Sequence, residues 1–482
     1  MFEAIDRRKV LRGIGLVTPL AAVSCTPSVL VGSGYGRELP EFFTDLEYRT
    51  FRFFWERANP ANGLLPDRWP TPSFCSIAAI GFGITAYVIG AERGWITRDQ
   101  ARDRILLTLR FLHSLPQGDG TEGFAGYRGF FYHFLDMDTG LRHGRTELST
   151  VDTGLLHLGM LHAAAWFDRD DPLERELRQL STHLVDMAEW DWFQQSGPAI
   201  PMGWHPETGF IERKWDGYNE GKLVYILALG SGGYPAREDS WQAWTRPYRK
   251  FWRGEGANRW LAFAPIWPGQ YSEMWIDFRG IQDEPMREAG IDYFENGRRE
   301  ARANHEWCAT NPMGWDGYAY DMWGLCACDG PGSHRAMRGG REVQFRGYSA
   351  RGPANEPDGY DDGTISPTAA IGAIPFVPEL GIAAALAMKE RYGTHLYGRY
   401  GFLDAFNPSF RDTSLRVDNG TVDPVSGWVG GDWLGIDQGT ILGMLANYRS
   451  DAIWKVMRKS PNIIRGLRRA AFSGGWLDSA DA

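Results

Sequence analysis

Residues 152–187 read DTGLLHLGMLHAAAWFDRDDPLERELRQLSTHLVDM, and this stretch decides the class of the fold. Its first half is apolar around the whole circumference of a helix, which is typical of a helix that is buried on every side. Its second half starts with Asp170 and Asp171 before Pro172, a helix-start signature, and then places leucines three and four residues apart. The pattern predicts an inner helix followed by an amphipathic outer helix.

The same alternation of segments recurs along the chain. Further segments that are apolar nearly all round lie at 76–90, 220–230 and 437–448, and amphipathic segments lie near 43–54 and 97–112. Two concentric rings of helices require this alternation, because inner helices contact both the outer ring and one another. We therefore predict an all-α fold, an α/α barrel that occupies residues 41–482 as a single domain.

Two long loops interrupt the helical pattern, at 190–215 and at 307–367. Both are rich in Trp, and the second is also rich in Gly, Pro and Asp. Loops of this length in a compact domain commonly carry function or form the wall of a cleft. We expect a few short strands within them.

The first residues of the chain predict export. The adjacent Arg7 and Arg8 precede a short apolar run, too short to span a bilayer, and together they resemble a twin-arginine signal. The four residues that end at Cys25 read Ala-Val-Ser-Cys, which resembles a lipoprotein cleavage box; ordinary cleavage nearby is the alternative. We predict a signal at 1–27, a tether at 28–40 and a periplasmic protein, which lipidation of Cys25 would anchor to the membrane.

The composition narrows the class of partner. The formal net charge is -9 and no block of Lys and Arg occurs beyond the N-terminus, so the sequence predicts no binding of nucleic acid. The chain contains 21 Trp, and rings that combine an apolar face with a polar handle suit sugars. A carbohydrate is therefore the expected ligand, bound by a monomer.

No cofactor or metal is predicted. The cysteines beyond position 25 are too sparse for a disulfide framework and do not precede histidines at zinc-ligand spacing, and the acidic run at 358–362 departs from an EF-hand loop. We interpret these four cysteines as small core residues, with one bridge to Cys308 left open. They are Cys75, Cys308, Cys326 and Cys328.

Acidic residues recur directly before the helices that are predicted to be buried. Asp152, Glu220, Asp362 and Asp437 are each followed by glycine within two residues and then by an apolar run. The inner helices of an α/α barrel are parallel, so these carboxylates would gather around one pocket, with Glu147 nearby. The alternative role for each acid is to cap free helix amides.

A pocket with several acids can supply the chemistry of glycoside hydrolysis. One carboxylic acid protonates the leaving oxygen, and one carboxylate activates water or attacks the sugar. The sequence has no nucleophile elbow, no phosphate-binding loop and no zinc-protease helix. His157 and His162 lie on a helix that is predicted to be buried, and we interpret them as hydrogen-bonded core residues.

Four blocks of sequence resemble the glycoamylase-like domain: WDGYNEGK at 215–222, DGTISPTAA at 362–370, YGFLDAFN at 400–407 and GIDQG at 435–439. Within that group the chain is most similar to bacterial endo-β-1,2-glucanases of glycoside hydrolase family 144. The resemblance implies an (α/α) six-hairpin barrel that acts on β-1,2-glucan and inverts the anomeric centre.

The resemblance also implies roles for individual residues. Glu220 would be the general acid and Asp437 the general base, separated by roughly 6.5 to 9.5 Å in an inverting enzyme. Trp215, Tyr218 and Trp433 are predicted to stack on sugar rings. The full set of predicted substrate-binding residues is Glu147, Asp152, Trp215, Tyr218, Asn219, Asp362 and Trp433.

Other activities remain open on the same barrel. An exo-acting or transglycosylating β-glucan enzyme would use the same carboxylates, and a polysaccharide lyase would act on acidic polymers instead. A third alternative is a glycan-binding lipoprotein without catalytic activity, in which the acids would be helix caps and the rings a binding surface.

Overall fold

The computed structural model describes residues 37–480, and helices make up most of its regular structure. The predicted signal at 1–27 and Cys25 lie outside the described residues. Within the described range, no helix combines the length and the apolar character needed to cross a membrane. The α-helices are α1 (Glu41–Arg57), α2 (Ile77–Glu92), α3 (Arg98–Ser114), α4 (Thr150–Trp166), α5 (Pro172–Asp186), α6 (Trp190–Gln194), α7 (Gly221–Gly230), α8 (Ser240–Thr245), α9 (Trp267–Trp275), α10 (Glu284–Ala289), α11 (Tyr293–Thr310), α12 (Pro367–Gly372), α13 (Pro378–Tyr392), α14 (Gly435–Ser450), α15 (Trp454–Met457) and α16 (Pro461–Arg469).

The strands are short and pair antiparallel in sheets of two or three strands. The longest pair is the hairpin within the predicted loop at 307–367. The strands are β1 (Arg68–Trp69), β2 (Cys75–Ser76), β3 (Gly126–Tyr127), β4 (Phe130–Phe131), β5 (Phe134–Leu135), β6 (Leu148–Ser149), β7 (Gly203–His205), β8 (Gly209–Phe210), β9 (Trp252–Arg253), β10 (Trp260–Leu261), β11 (His334–Arg338), β12 (Arg341–Phe345), β13 (Tyr397–Gly398), β14 (Gly401–Phe402), β15 (Phe406–Asn407), β16 (Thr421–Asp423), β17 (Gly427–Val429) and β18 (Trp433–Leu434).

The helices form two concentric rings. In the inner ring α2 packs between α4 and α14, α7 follows α4, α9 follows α7, and α12 packs against α14. The side chain of Gln270 on α9 donates a hydrogen bond to the carbonyl of Ala369 on α12 at 2.6 Å, which closes the ring. The outer helices α1, α3, α5, α11, α13 and α16 pack on this ring. The predicted α/α barrel is confirmed.

The stretch at 152–187 forms one inner and one outer helix, as predicted. In α4 nearly every side chain is buried, whereas α5 buries one stripe that includes Leu177 and Leu184. The carboxylate of Asp171 accepts hydrogen bonds from the amides of Leu173 and Glu174, which caps α5. The apolar stripe is shorter than the sequence pattern suggests, because Leu173 at its start is exposed.

Glycines allow the inner helices to approach at backbone distance. A Cβ atom on Gly81 of α2 would lie 2.2 Å from the carbonyl oxygen of Leu155 on α4, and one on Gly159 would lie 2.2 Å from the carbonyl oxygen of Gly81. Neither neighbour is a flexible side chain that could move aside. The α2–α4 contact therefore requires glycine at both positions.

Short strand pairs lie at the N-terminal ends of several inner helices. Strand β2 ends where α2 begins, β6 ends where α4 begins, and β18 ends where α14 begins. Their partners come from the connections between helices: β5 from that between α3 and α4, β7 from the predicted loop at 190–215 and β1 from that between α1 and α2. The loops are thus fastened to one end of the barrel, the end at which the predicted acids lie.

The cysteines are core residues as predicted, the open question of a bridge to Cys308 is answered, and the interpretation of the histidines is corrected. Cys75, Cys308, Cys326 and Cys328 are buried free thiols, so Cys308 forms no bridge with any of them. His157 and His162 are buried as predicted, but their ring nitrogens have no hydrogen-bond partner within residues 37–480. Burial lowers the pKa of each histidine to about 3, so both are neutral packing residues.

The α2–α4 contact makes a prediction for stability. Substitution Gly159→Ala is expected to lower the free energy of unfolding by about 1–3 kcal/mol, since the added methyl group overlaps backbone and the helices must separate. Urea denaturation followed by circular dichroism measures the change. Gly197→Ala is the matched control, because a Cβ there meets no atom within 4 Å. Equal unfolding midpoints for the parent and Gly159→Ala would contradict the contact.

Candidate active site

The predicted acids meet at the N-terminal ends of the inner helices. Asp152 lies in the first turn of α4, Glu220 immediately precedes α7, and Asp437 lies in the first turn of α14. Tyr271 on α9 lies near two of them: burial raises the pKa of its hydroxyl well above the usual value, and the charges of Asp437 and Glu220 raise it further. The gathering of acids that the helix pattern predicts is present.

Glu220 occupies the cap position of α7 without acting as a cap. Its side chain accepts no capping hydrogen bond from the helix, and its Oε2 is buried without a hydrogen-bond partner in the described part of the chain. Burial raises the pKa of Glu220 to about 6, and the charge of Asp152 contributes to the increase. A carboxyl group in this state can hold a transferable proton near neutral pH.

Asp437 shares a fully buried site with Asp404. Burial raises the pKa of both: the charge of Asp329 raises that of Asp404 further, and the charge of Asp404 raises that of Asp437 well above its usual range. Asp404 Oδ2 accepts a hydrogen bond from the amide of Asp329 at 2.7 Å, which fixes its orientation. Two carboxylates this close favour a state in which they hold one proton between them. The remaining negative charge makes the pair a base.

One cation neutralises this acidic side incompletely. The guanidinium of Arg68 lies 2.7 Å from the carboxylate of Asp329 and 3.8 Å from that of Asp432. Burial acts to lower the pKa of Arg68, but the charge of Asp329 outweighs it together with other nearby acids, so the pKa is raised. Asn419 donates hydrogen bonds to both aspartates at 3.1 Å. Strand β1 brings Arg68 here by pairing with β18, opposite Leu434. Acids outnumber cations in this cluster.

A second group of acids in the site is charge-paired. His133 Nδ1 lies 3.0 Å from Glu147 Oε1, and its Nε2 lies 3.4 Å from Asp152 Oδ1. Burial alone would lower the pKa of His133, but the charges of Asp152 and Glu147 outweigh it and raise the pKa to about 9. Burial acts to raise the pKa of Glu147, and the hydrogen bond with His133 leaves it lower than usual. Glu147 therefore stays ionised near neutral pH.

A family model matches the part of the chain that contains the two buried carboxylate sites. The model is that of the glycoamylases, described as "Putative glucoamylase", and it matches residues 212–461, more than half of the chain. The chain belongs to the glycoamylase family. Glu147 and Asp152 lie before the matched range, whereas Glu220, Asp404 and Asp437 lie within it.

Three relatives show how this glycoamylase-family chain compares along its length. A crystal structure of the same description from Bacteroides uniformis is 31% identical, with a TM-score of 0.77, and the match covers 92% of this chain and 100% of that one. An endo-β-1,2-glucanase from Chitinophaga pinensis, in complex with sophorotriose and glucose, is 25% identical, with a TM-score of 0.75 and coverage of 90% and 98%. An exo β-1,2-glucooligosaccharide sophorohydrolase (non-reducing end) of Parabacteroides distasonis is 26% identical over 449 residues, 87% of this chain. This chain spans 56% of the length of that curated relative.

Three of the substrate-binding residues predicted for this glycoamylase-family chain, all close to Glu220 in sequence, are instead buried and hydrogen-bonded within the protein. Trp215 is 4% exposed and donates to Thr150 Oγ1, and Tyr218 is 0% exposed and donates to Glu300. Asn219 Oδ1 accepts hydrogen bonds from the amide of Gly221 and from Trp244 Nε1. The prediction that Trp215 and Tyr218 stack on sugars is wrong, since both rings are buried in the wall that holds the acid.

Asp362 is also wrongly predicted as a substrate-binding residue. Its carboxylate is fully buried and accepts hydrogen bonds from Nε and Nη2 of Arg351 at 2.8 and 2.9 Å. It also accepts from the amides of Arg346 and Thr364, both at 3.2 Å. These partners use the carboxylate completely, so it anchors the surrounding loops and has no group free for a sugar.

Trp433 keeps its predicted place at the surface of the site. It is partly exposed, its Nε1 donates to the carbonyl of Gly401 at 3.0 Å, and its ring stacks on that of Trp69 with centroids 5.7 Å apart. Its contact with sugar stays a prediction.

Sequence reasoning missed several residues of the site. Asp404 lies in the quoted block 400–407, so its acidic side chain beside Asp437 could have been found there. The remaining residues lie in loops, in a two-residue strand or on α9, and no periodic pattern indicates which of these side chains face the site. They are Arg68, His133, Tyr271 and Tyr348.

The buried Glu220 predicts a pH-dependent loss of stability. Its pKa in the folded protein, about 6, lies above the ordinary 4.5, so its stabilising contribution is present below pH 4.5 and is lost as the pH rises through 6. Glu220→Gln removes this loss. The urea midpoint of the parent should therefore fall relative to that of Glu220→Gln between pH 4.5 and pH 7.5. The exposed Glu122, replaced by Gln, is the control, and a pH-independent difference for Glu220→Gln would contradict the burial.

Proposed function

We propose that the chain is a glycoside hydrolase that cleaves β-1,2-glucan, with Glu220 as the general acid and Asp437 as the general base. The observation that carries the proposal is the state of Glu220: it stands at a helix start, yet it caps nothing, its Oε2 is buried without a partner in the described residues, and its pKa is raised to about 6. A binding protein would gain nothing from a buried, unpaired carboxyl group, which costs free energy.

The proposed reaction needs both sides of the site. Glu220 gives its proton to the glycosidic oxygen as the bond to the anomeric carbon breaks. A water molecule attacks that carbon from the other face and passes its proton to Asp437, which inverts the anomeric centre. Asp404 supports this step, because its neighbouring negative charge raises the proton affinity of Asp437. Proton exchange with solvent then restores both groups.

The charge-paired side would hold the substrate. Glu147 and Asp152 are partly exposed at their side chains and both contact the cation His133, so their carboxylate oxygens can accept hydrogen bonds from sugar hydroxyls. Trp433 and Trp69 form a stacked pair beside the opposite acids and offer an apolar surface to a sugar ring.

The substrate and the mode of attack are proposed from the relatives. The endo-β-1,2-glucanase of Chitinophaga pinensis is covered over 98% of its length, and we propose endo cleavage on that basis. Exo cleavage to a disaccharide is the second candidate, because a relative that is 26% identical is a sophorohydrolase. The periplasm is proposed as the location from the sequence of residues 1–27.

Substitution of the two carboxylates tests the proposed roles. Purified protein is incubated with linear β-1,2-glucan, with β-1,3-glucan and α-glucan as controls, and the products are separated by chromatography. Glu220→Gln and Asp437→Asn should each lower the turnover number by about 10²–10⁴-fold while the proteins remain folded. Early products of many lengths would indicate endo cleavage, and disaccharide alone would indicate exo cleavage. A parental rate for Glu220→Gln would remove it from the mechanism.

The Asp404–Asp437 pair predicts a shift of the pH profile. Asp437 must be ionised to act as a base, and the negative charge of Asp404 raises its pKa. In Asp404→Asn that charge is absent, so Asp437 ionises at lower pH and the acidic limb of kcat/KM should move to lower pH. Glu122→Gln, at an exposed position, should leave the limb in place. An unmoved limb in Asp404→Asn would show that Asp404 does not set the proton affinity of the base.

A further inference from the structure

Tyr348 is an exposed aromatic residue in a loop whose backbone is hydrogen-bonded to the acid cluster. It is 53% exposed and lies in the loop that follows β12. Desolvation raises the pKa of its hydroxyl well above the usual value, and the charges of Asp404 and Asp437 raise it further. The ring is therefore open to a ligand, and the charge of the proposed base acts on its hydroxyl.

Backbone hydrogen bonds connect this residue to the Asp404–Asp437 pair. The neighbour of Tyr348, Ser349, exchanges two hydrogen bonds with Cys328, at 3.0 and 3.2 Å. The residue after Cys328, Asp329, donates its amide to Asp404 Oδ2 at 2.7 Å. Two sets of hydrogen bonds, Ser349 with Cys328 and Asp329 with Asp404, therefore connect the backbone beside Tyr348 to the carboxylate next to the proposed base.

A buried arginine fixes the conformation of the loop that carries Tyr348. The guanidinium of Arg351 donates to the carbonyl oxygens of Arg346, Gly347 and Ser349, each at 3.1 Å, which surround Tyr348 in the chain. Its remaining donors bind the carbonyl of Cys328 at 2.7 Å and the carboxylate of Asp362. The five donors of a guanidinium are thereby engaged. The loop is held in one shape by the pair that Arg351 and Asp362 form.

The side chain of Tyr348 is the unengaged part of this arrangement. Its hydroxyl forms no hydrogen bond in the described range 37–480, while the backbone on both sides of it is fixed. An aromatic side chain with a fixed backbone and an accessible ring suits contact with a sugar, because a sugar presents an apolar face and hydroxyl groups.

We propose that Tyr348 is a substrate-binding residue, which stacks its ring on the sugar unit nearest Asp437 and donates its hydroxyl to an oxygen of that unit. Arg351 and Asp362 are positioning residues that hold Tyr348 there. The inference rests on the proposed function, since it names β-1,2-glucan as the ligand. It assigns the sugar contact on this side of the site to the loop at 346–350.

Binding measured without turnover tests the contact. All variants carry Glu220→Gln, and their affinity for β-1,2-glucooligosaccharides is measured by isothermal titration calorimetry. Tyr348→Ala should raise the Kd by about tenfold, and Tyr348→Phe, which keeps the ring, by about threefold. Tyr234→Ala is the matched control: this tyrosine is 46% exposed and follows α7 at the end opposite Glu220. It should leave the Kd unchanged.

The role of the arginine is tested in the same series. Arg351→Lys keeps the charge but loses the fork of donors, so it should weaken binding when Tyr348 is present and have little further effect in Tyr348→Ala. Additive losses would indicate a general disturbance of the fold and would overturn the positioning role. If Arg351→Lys does not fold, the tyrosine variants still decide the contact, since their side chain is largely outside the core.

The outcomes separate this inference from the proposed function. Equal Kd values for the Glu220→Gln protein with and without Tyr348→Ala would overturn the inference alone. Failure of the Glu220→Gln protein to bind β-1,2-glucooligosaccharides, together with an inactive parent, would overturn both the substrate and the contact. Cleavage by the parent with a tenfold weaker Kd for Tyr348→Ala would support both.

Discussion

The closed packing of helices that have no solvent-facing side is the constraint on which the rest of the structure depends. The helices α2 and α4 meet at Gly81 and Gly159 with backbone against carbonyl oxygen, so no polar side chain fits between them. The charged groups of the inner helices are paired within the core, as Lys222 is with Glu273 at 2.9 Å, or lie at a helix end, as Asp152 and Asp437 do in the first turns of α4 and α14. The carboxyl groups proposed to act in catalysis therefore lie at the rim of the barrel, at the ends of the inner helices, because the close-packed interior has no space for a substrate.

Charge compensation then divides the rim into sides with different protonation. Glu147 and Asp152 share the protonated His133, whereas Asp404 and Asp437 have only the more distant Arg68 cluster to offset their charge. Carboxyl groups within one site thus differ in pKa, which is lowered for Glu147 and raised for Asp437. Differences of environment between carboxyl groups are what acid–base catalysis on a sugar requires.

The sequence predicted what depends on periodicity and could not predict what depends on distant pairing. Helical spacing indicated the two rings and the position of Glu220 and Asp437 at helix starts, because both follow from local chain order. It could not indicate Arg68, which reaches the site only through the pairing of β1 with β18 near the other end of the chain. Nor does a Trp or Tyr in a motif reveal whether its ring faces a cleft or the wall behind it, which is why Tyr218 was assigned to the wrong side.

Asp362 shows why a sequence block is not yet a site. It shares with Glu220 and Asp437 the pattern of an acid followed by glycine, but its carboxylate is consumed by Arg351, which lies eleven residues earlier in the chain. A buried ion pair of this kind adds little net stability, since the cost of removing both charges from water offsets their attraction. What the pair provides is a fixed geometry, because the donors left over on Arg351 orient the carbonyls on both sides of Tyr348. The block that contains Asp362 therefore serves the site through the shape of a loop, while those of Glu220 and Asp437 serve it through their carboxyl groups.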